Sequence, residues 1–400
     1  MQRSVILAIG ALAITQLIGW GTTFQVAAVL GPAMGGAVGL PLAAVLFGPT
    51  VMLVVMAFAS PFLPRAAKAF GMRRTMAAGS ALVAAALLLL ASATQPVAFF
   101  AAWALLGLAG TAVLTTPAQI ALAAIAGDGA KRALGVLMLI AGLSSSLFWP
   151  TAAALETWIG WRETLAVFAL LNLVVCAPLH LALPSAPRPG PVPSRAEARR
   201  TEPRAERRTF AMLAGAISLN GFISWGFALT LIALFEARGL GRAEAVTAAS
   251  AMGVVQIAAR AADFLGGARW HGLTTAIAAG VLLTAGLGVL LIGSGTAAVV
   301  AFVLFYGTAT GALAVARATL PLVFFPGDAY AAASARLALP LNLAFAAAPP
   351  AFAALLSGFG PGLALWIALA ASLAALVLLL ALRRHAPADG VPAPARQAGA

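Results

Sequence analysis

The sequence predicts an all-α polytopic membrane protein, with twelve transmembrane helices in two six-helix bundles. Three observations predict this fold class. Hydrophobic residues make up 62% of the 400 residues and charged residues only 9%, which is too little charge to cover the surface of a soluble protein. Apolar stretches of about 18 residues or more, the length that crosses a hydrocarbon core, recur along the whole chain. One long polar segment divides these stretches into two groups of six.

Glycine, proline and charged residues mark the ends of the predicted spans. The first apolar stretch, within MQRSVILAIGALAITQLIGW, is longer than the core of a secretory signal and contains no small-residue cleavage site, so it is interpreted as span 1. In chain order, spans 1 to 12 are predicted near residues 5–31, 40–63, 75–93, 97–126, 133–155, 163–183, 210–236, 244–266, 273–293, 297–326, 336–358 and 361–382.

The polar segment at residues 184–208 is rich in proline, arginine and glutamate, and it cannot bury a core. It is predicted to be a disordered cytoplasmic linker, and the chain after Leu382 has a similar character. The predicted domains are an N-terminal six-helix bundle at 1–183, the linker at 184–209, a C-terminal six-helix bundle at 210–384 and a disordered cytoplasmic tail at 385–400.

The distribution of basic residues predicts the topology. With the N-terminus in the cytoplasm, the outer loops receive only Arg162, Arg238 and Arg242 of the 24 basic residues, and only Arg260 and Arg317 lie inside spans. This positive-inside bias predicts that both termini and the linker are cytoplasmic, and a bacterial inner membrane is the expected location. The net charge of +13 is therefore interpreted as topogenic, and no nucleic-acid partner is expected.

Short motifs repeat between the two halves of the chain. Trp-Gly occurs at 20–21 in span 1 and at 225–226 in span 7, and Gly-Asp occurs at 127–128 and 327–328 after spans 4 and 10. The nearly constant offset suggests two parallel repeats of six spans, related by an axis along the membrane normal.

The loop after span 2, PRAAKAFGMRRTM, and the motif GWR at 160–162 resemble those of the major facilitator superfamily of secondary transporters. Gly71, Arg73 and Arg74 match the second half of the family's loop motif, whereas Pro64 and Lys68 stand where the family usually has glycine and aspartate. The resemblance implies a central cavity lined mainly by spans 1, 4, 7 and 10, alternating access, a conformational role for the three matching residues, and a functional monomer.

Arg317 is a single cation inside an otherwise uncharged run between Ala297 and Asp328. About ten residues, or about 15 Å of helix, separate it from Gly327, so it lies near the middle of a hydrocarbon core of about 30 Å. An unpaired charge at that depth costs at least about 2.5 kcal/mol, so Arg317 should face a wet cavity or a partner. One interpretation is a cation that binds an anionic substrate, because a guanidinium grips carboxylates bidentately. The alternatives are a structural arginine at the kink of Pro321 and a snorkelling side chain.

Acidic residues narrow the substrate class. Of the eleven Asp and Glu residues only Asp263 lies within a predicted span, near its cytoplasmic end. The absence of a carboxylate from the middle of the membrane favours an anionic or neutral polar cargo over a cationic one. Gln256, Arg260 and Asp263 share one face of span 8. The last two are interpreted either as an intrahelical ion pair or as a cytoplasmic gate.

Other polar or amphipathic side chains at useful depth are candidates for substrate binding, although hydrogen bonds between helices would also explain them. They are Gln16, Trp20 and Thr23 in span 1, Gln119 in span 4, Asn220 and Trp225 in span 7, and Asn342 in span 11.

The sequence therefore predicts a secondary transporter of a small organic anion such as a carboxylate, with a proton as one candidate coupling ion. An exporter of neutral or zwitterionic drugs or metabolites is the alternative, and a membrane enzyme or a permease-like sensor without transport is less favoured. The single Cys176 and the scattered His180, His271 and His385 predict no metal site. No catalytic residues and no cofactor are expected.

Overall fold

The computed structural model describes residues 3–184, 204–227, 230–266, 272–325 and 327–385, which are almost entirely helical, with no strand in these ranges. In the N-terminal half, the helices of spans 1 to 6 are grouped as follows. Span 1 contains Arg3–Thr22 and Val26–Val38; span 2, Leu42–Val45, Phe47–Ala59 and Leu63–Phe70; span 3, Met72–Ser92; span 4, Pro96–Val113 and Thr115–Ala126; span 5, Ala130–Ala141 and Ser144–Ile159; and span 6, Trp161–Leu171 and Ala177–Leu181, joined by a π-helical turn at Asn172–Cys176.

The C-terminal half is built from longer helices. Span 7 contains Arg204–Gly226 and Leu231–Glu236; span 8 is Arg242–Gly266; span 9, Gly272–Ile292; and span 10, Gly295–Phe324. Spans 11 and 12 lie in one stretch, Asp328–Leu382, which is interrupted at Gly360, where φ is 78° and ψ is 175°. Only glycine adopts this conformation readily.

Ten helical segments in the described ranges are long and apolar enough to cross a membrane, and the all-helical polytopic fold is confirmed. Two of them, Pro96–Ile159 with 64 residues and Ala329–His385 with 57 residues, are far longer than one crossing requires. Each contains a glycine with positive φ, Gly127 and Gly360 respectively, at a predicted boundary between spans. These turns support twelve crossings, and the count itself stays a prediction.

Some boundaries differ from the predicted ones. The helix of span 7 begins at Arg204, inside the segment that was predicted as linker, because its first turn contains good helix formers and an acidic residue, Glu206, that favours a helix N-terminus. The rest of the predicted linker, 185–203, and the predicted tail beyond His385 lie outside the described residues.

Each half has an apolar core of its own. Buried side chains of spans 7 to 12, including Phe227, Phe302 and Phe352, form one cluster within the C-terminal half. The corresponding N-terminal cluster, which contains Met52, Leu87 and Trp103, is joined from the other half mainly by residues of span 11. Most of each core therefore lies within one half, as two bodies that move against each other require.

The halves meet where span 5 packs against spans 8 and 10 and where spans 2 and 4 pack against the stretch Asp328–Leu382, whose Phe345 and Ala346 on span 11 belong to the N-terminal cluster. At the end that is predicted to be cytoplasmic, Cζ of Arg132 lies 5.7 Å from the ring centroid of Phe264. Ala318 and Tyr330 join Leu134 of span 5 in one apolar cluster at this end. The two halves are therefore in direct contact here, and the central residues described next lie between them.

Candidate functional site

Two arginines lie on neighbouring helices between the halves, Arg260 on span 8 and Arg317 on span 10, and each contributes to the positive potential at the other. Nε of Arg260 and Nη1 of Arg317 are buried and lack a hydrogen-bond partner among the described residues. Within that part of the chain, neither guanidinium forms an ion pair with a carboxylate. The C-terminal half thus presents two neighbouring cations without a counter-ion.

Spans 8 and 10, which carry these arginines, are joined by a hydrogen bond and by a close contact between the helices. Nε2 of Gln256, one turn before Arg260, donates a hydrogen bond to Oγ1 of Thr310 at 3.1 Å. Gly311 lies so close to the backbone of Gln256 that a Cβ there would collide with it. Because Thr310 is about two turns from Arg317 on the same helix, the two helices are fastened beside both cations.

Arg260 reaches across to the N-terminal half. A Cβ added to Gly142 of span 5 would overlap Nη1 of Arg260, so the guanidinium occupies the space that a larger residue would fill. Span 5 is interrupted at this point, since one helix ends at Ala141 and the next begins at Ser144. The guanidinium of Arg260, from the C-terminal half, therefore packs against Gly142 of the N-terminal half.

The ion pair considered for Arg260 and Asp263 is not formed, and that interpretation is wrong. Asp263 instead accepts a hydrogen bond from Oγ1 of Thr275 on span 9, at 2.9 Å, and it attracts Lys131 of span 5 electrostatically. The i, i+3 spacing allows the pair, but Arg260 turns towards Gly142 while Asp263 turns towards span 9. Asp263 also lines an open pocket between the halves with Lys131 and its neighbours. Its gating role stays a prediction.

Arg317 lies against a cluster of rings, Trp20, Phe24, Trp225 and Phe345, here called the aromatic cluster. Cζ of Arg317 is 5.7 Å from the ring centroid of Phe345, within the range of a cation–π interaction. Phe345 stacks on Trp225, with centroids 4.3 Å apart and planes at 15°. The ring centroid of Trp225 lies 6.3 Å from that of Trp20 and 4.8 Å from that of Phe24. The aromatic cluster thus links spans 7 and 11 of one half to span 1 of the other.

Span 1 is anchored to span 4 beside the aromatic cluster. Nε1 of Trp20 donates to Oγ1 of Thr115 at 3.0 Å, and Nε2 of Gln16 donates to the carbonyl oxygen of Val113 at 2.8 Å. Pro117, four residues after Val113, has no N–H and leaves this carbonyl without its helical partner. Gln16 therefore has a structural role through Nε2, whereas its buried Oε1 has no partner among the described residues.

The remaining predicted binding residues differ in what their side chains do. Oγ1 of Thr23 donates to the carbonyl oxygen of Gly19 in its own helix at 2.6 Å, so it serves span 1 itself. Nε2 of Gln119 contacts Sδ of Met138 at 3.6 Å. Asn220 and Asn342 are buried, and Oδ1 of Asn220 has no partner in the described ranges.

The loop residues that match the family motif lie away from the two arginines. Gly71, with φ of 81°, separates the helices Leu63–Phe70 and Met72–Ser92. Nε of Arg73 donates to the carbonyl oxygen of Leu181 at 2.6 Å, at the end of span 6, where a cation is favoured by the helix dipole. Arg74 is exposed. This contact of Arg73 fastens spans 3 and 6 within the N-terminal half.

Two residues of this region were not predicted from the sequence, Thr310 and Phe345. Phe345 follows Asn342 by about one helical turn, so the two share a side of span 11, and this spacing is a signal that could have identified it. Thr310 offered no comparable signal, because its role depends on a contact with span 8. Gly142 begins GLSSSLFWP at 142–150, a polar stretch of span 5 that suggests a sliding helix or a cavity lining, but the sequence does not indicate its contact with Arg260. In the described part of the chain, no group of three or more His, Cys, Asp or Glu residues could hold a metal ion.

Comparison with known proteins covers most of the chain. A family model described as Major Facilitator Superfamily matches residues 12–270. No curated protein sequence matches.

Among solved structures, the human organic anion transporter MFSD10 (TETRAN) is similar, with a TM-score of 0.74 and 16% identity over 94% of this chain and 100% of that chain. A variant of the E. coli fucose:proton symporter FucP has a TM-score of 0.70 and 13% identity over 94% of this chain and 99% of that one. A structure of FucP in the outward conformation gives a TM-score of 0.69, with 13% identity over 94% and 99% of the two chains. At these identities the likeness concerns the fold alone.

Proposed function

The chain belongs to the major facilitator superfamily, a family of transporters, and on that premise we propose that it is a secondary transporter of a small organic anion such as a carboxylate. It is an integral membrane protein. The observation that carries the proposal is the pair Arg260 and Arg317, which lie between the halves without a carboxylate partner in the described residues.

The energetics of these cations favour an anionic ligand. A charge near the middle of a membrane costs at least about 2.5 kcal/mol when it is unpaired, and a second cation at the same interface adds to this cost. An anion that enters between them lowers both terms. A guanidinium offers planar, bidentate donors that fit carboxylate oxygens. The human MFSD10 structure carries the description organic anion transporter, which agrees with this substrate class.

The arrangement of the site also suits alternating access. Arg260 and Arg317 both belong to the C-terminal half. Gly142, Gln16 and Trp20 belong to the N-terminal half. We take residues 1–183 and 210–384 as the two moving bodies of a monomer, with both termini cytoplasmic and a bacterial inner membrane as the location. When they rock apart, the contact of Arg260 with Gly142 and that of Trp225 with Trp20 open. A proton is the proposed coupling ion, and FucP is described as a proton symporter.

A second candidate is an exporter of neutral or zwitterionic drugs or metabolites. The aromatic cluster favours it, because stacked rings offer apolar surface beside polar groups at the same interface. The two candidates differ in whether binding depends on the negative charge of the ligand.

Ligand binding by purified protein tests the proposal. Thermal unfolding is followed with small carboxylates, inorganic oxyanions and neutral amides of the same skeletons, since a ligand that binds the folded state raises the unfolding temperature. We expect carboxylates to stabilise the wild type and uptake by proteoliposomes to follow the same order.

Arg317→Gln should abolish the response to carboxylates. Arg336→Gln is the matched control, because Arg336 is an arginine of the same half that lies away from the site. Its Cζ is 4.3 Å from the ring centroid of Phe210. Stabilisation by neutral amides that equals or exceeds stabilisation by carboxylates would support the exporter and overturn the proposal.

A further inference from the structure

We propose that the substrate is a dianion, and that Arg317 and Arg260 each hold one of its two anionic groups. The inference rests on the proposed function and adds the charge of the substrate to it. The two cations, their separate seats and the rigid connection between spans 8 and 10 carry it.

The charge balance of the site favours a ligand with two negative groups. Both guanidiniums are unpaired by carboxylates in the described ranges, and each has one buried nitrogen without a hydrogen-bond partner there. A monoanion would compensate one cation and leave the other without a negative partner. A dianion neutralises both, so the loaded site has no net charge from these groups.

The two cations sit against different neighbours. Arg317 lies on the ring of Phe345 on span 11, and span 11 packs against spans 2 and 4. Arg260 lies beside Gly142 on span 5, which packs against spans 8 and 10. The guanidinium groups are thus drawn to separate sides of the interface, and two anionic groups on one skeleton fit this arrangement better than a single shared carboxylate.

Spans 8 and 10, which carry the two cations, are fastened to each other beside the site. Gln256 bonds Thr310 at 3.1 Å, and a Cβ at Gly307 would come within 2.8 Å of Cγ1 of Val255. At Gly311 an added Cβ would collide with the backbone of Gln256, so spans 8 and 10 pack closely beside the site. Dianions whose charged groups reach both guanidiniums should bind best, so affinity should depend on the length of the skeleton.

The test compares each dicarboxylate with its own half-amide. Malonate, succinate, glutarate and adipate, each beside the half-amide and the diamide of the same skeleton, are titrated into purified full-length protein by calorimetry at pH 8. For at least one skeleton, we expect the dicarboxylate to bind the wild type about tenfold or more tightly than the half-amide, the gain from one charge-assisted hydrogen-bonded contact. Arg260→Gln should reduce this ratio to about one, because it should weaken binding of the dicarboxylate far more than binding of the half-amide.

A second pair of variants moves Arg260 without removing it. Gly142→Ala should displace the guanidinium and lower the same ratio, because its Cβ would overlap Nη1 of Arg260. Gly135→Ala is the control on the same span, since its Cβ would lie 3.8 Å from Phe264, an ordinary contact. It should leave the ratio as in the wild type.

Three results would count against the inference, and they are distinguishable. Half-amides that bind the wild type as tightly as the dicarboxylates at every chain length overturn the dianion alone and leave the anion transporter standing. Equal loss of both ligands in Arg260→Gln overturns the separate role of Arg260. Binding of the diamides without binding of any anion overturns the proposed function itself.

Discussion

Gln16 on span 1 donates its side-chain amide to the carbonyl oxygen of Val113 on span 4, 2.8 Å away, at the carbonyl that Pro117 leaves without a helical donor. A backbone group without a partner inside a membrane is costly, and here a neighbouring helix supplies the donor. Because span 4 needs this donor, the bond can be tested from both of its ends.

Gln16→Leu should lower stability by about 1–3 kcal/mol, because the buried carbonyl of Val113 loses its donor. Pro117→Ala restores a backbone N–H to span 4, so the double variant should lose less than the sum of the two single changes. Thermal unfolding in one detergent measures all four proteins. Additive losses would show that Gln16 does not substitute for the missing helical bond. If the double variant regains stability but not carboxylate binding, the free Oε1 of Gln16 serves the ligand.

Trp225→Ala should weaken the response to ligands more than it weakens the fold. The ring of Trp225 stacks on Phe345 and contacts Trp20 of the other half, so its loss frees the ring that supports Arg317. Trp225→Phe retains stacking, worth about 0.5–1.5 kcal/mol, and should retain most of the response. Trp158→Ala, at a site where the side chain is 78% exposed, is the control. If ligands stabilise Trp225→Ala as much as the wild type, the aromatic cluster takes no part in ligand binding.

Asp263→Asn should favour opening at the end where spans 5 and 8 meet. The amide can still accept the hydrogen bond from Thr275, but the attraction to Lys131 of the other half is lost. Gly135→Cys, whose side chain would face Phe264, reports the change through its rate of reaction with a maleimide, because Cys176 is only 1% exposed. The rate should rise in Asp263→Asn and stay unchanged in Asp128→Asn, which alters an exposed carboxylate of the same pocket. Equal rates in all three would exclude a gating role for Asp263.

Gly71→Ala should destabilise the fold by about 1–3 kcal/mol, because φ of 81° with ψ of 145° is a conformation that only glycine adopts without strain. Gly129→Ala is the matched control in the loop after span 4, since its φ is −81° and no atom lies within 4 Å of the added Cβ. The control should change stability by less than about 0.5 kcal/mol. A difference in unfolding temperature between the two variants is the measurement, and equal temperatures would contradict a strained position at Gly71.

The helices and their order could be predicted from the sequence because a membrane demands apolar length, and length is visible in a single chain. Arg317 could be recognised as exceptional for the same reason, since nothing near it in the chain compensates its charge. The contact of Arg260 could not be predicted in this way. The spacing along span 8 suggests Asp263 as its partner, whereas in the folded chain Arg260 lies beside Gly142, more than one hundred residues earlier in the sequence.

Breaks inside spans were also predictable only in part. Pro117 indicates an interruption in span 4, but the sequence does not indicate that Gln16 of span 1 supplies the missing hydrogen-bond donor, because that contact depends on how spans 1 and 4 pack. At the interruption beside Gly142 in span 5, no proline lies within three residues on either side. Local chemistry therefore predicts where a helix is weak, and only packing decides what fills the gap.

Both cations of the proposed site lie on the C-terminal half, and this has an electrical consequence for the proposed transport cycle. Moving one elementary charge through 100 mV corresponds to about 2.3 kcal/mol, so a rocking motion that carries Arg260 and Arg317 through part of the field is sensitive to voltage when the site is empty. With two negative groups bound, the same motion carries no net charge from the site. The membrane potential would then act on the return of the empty carrier, and the loaded step would be electrically silent.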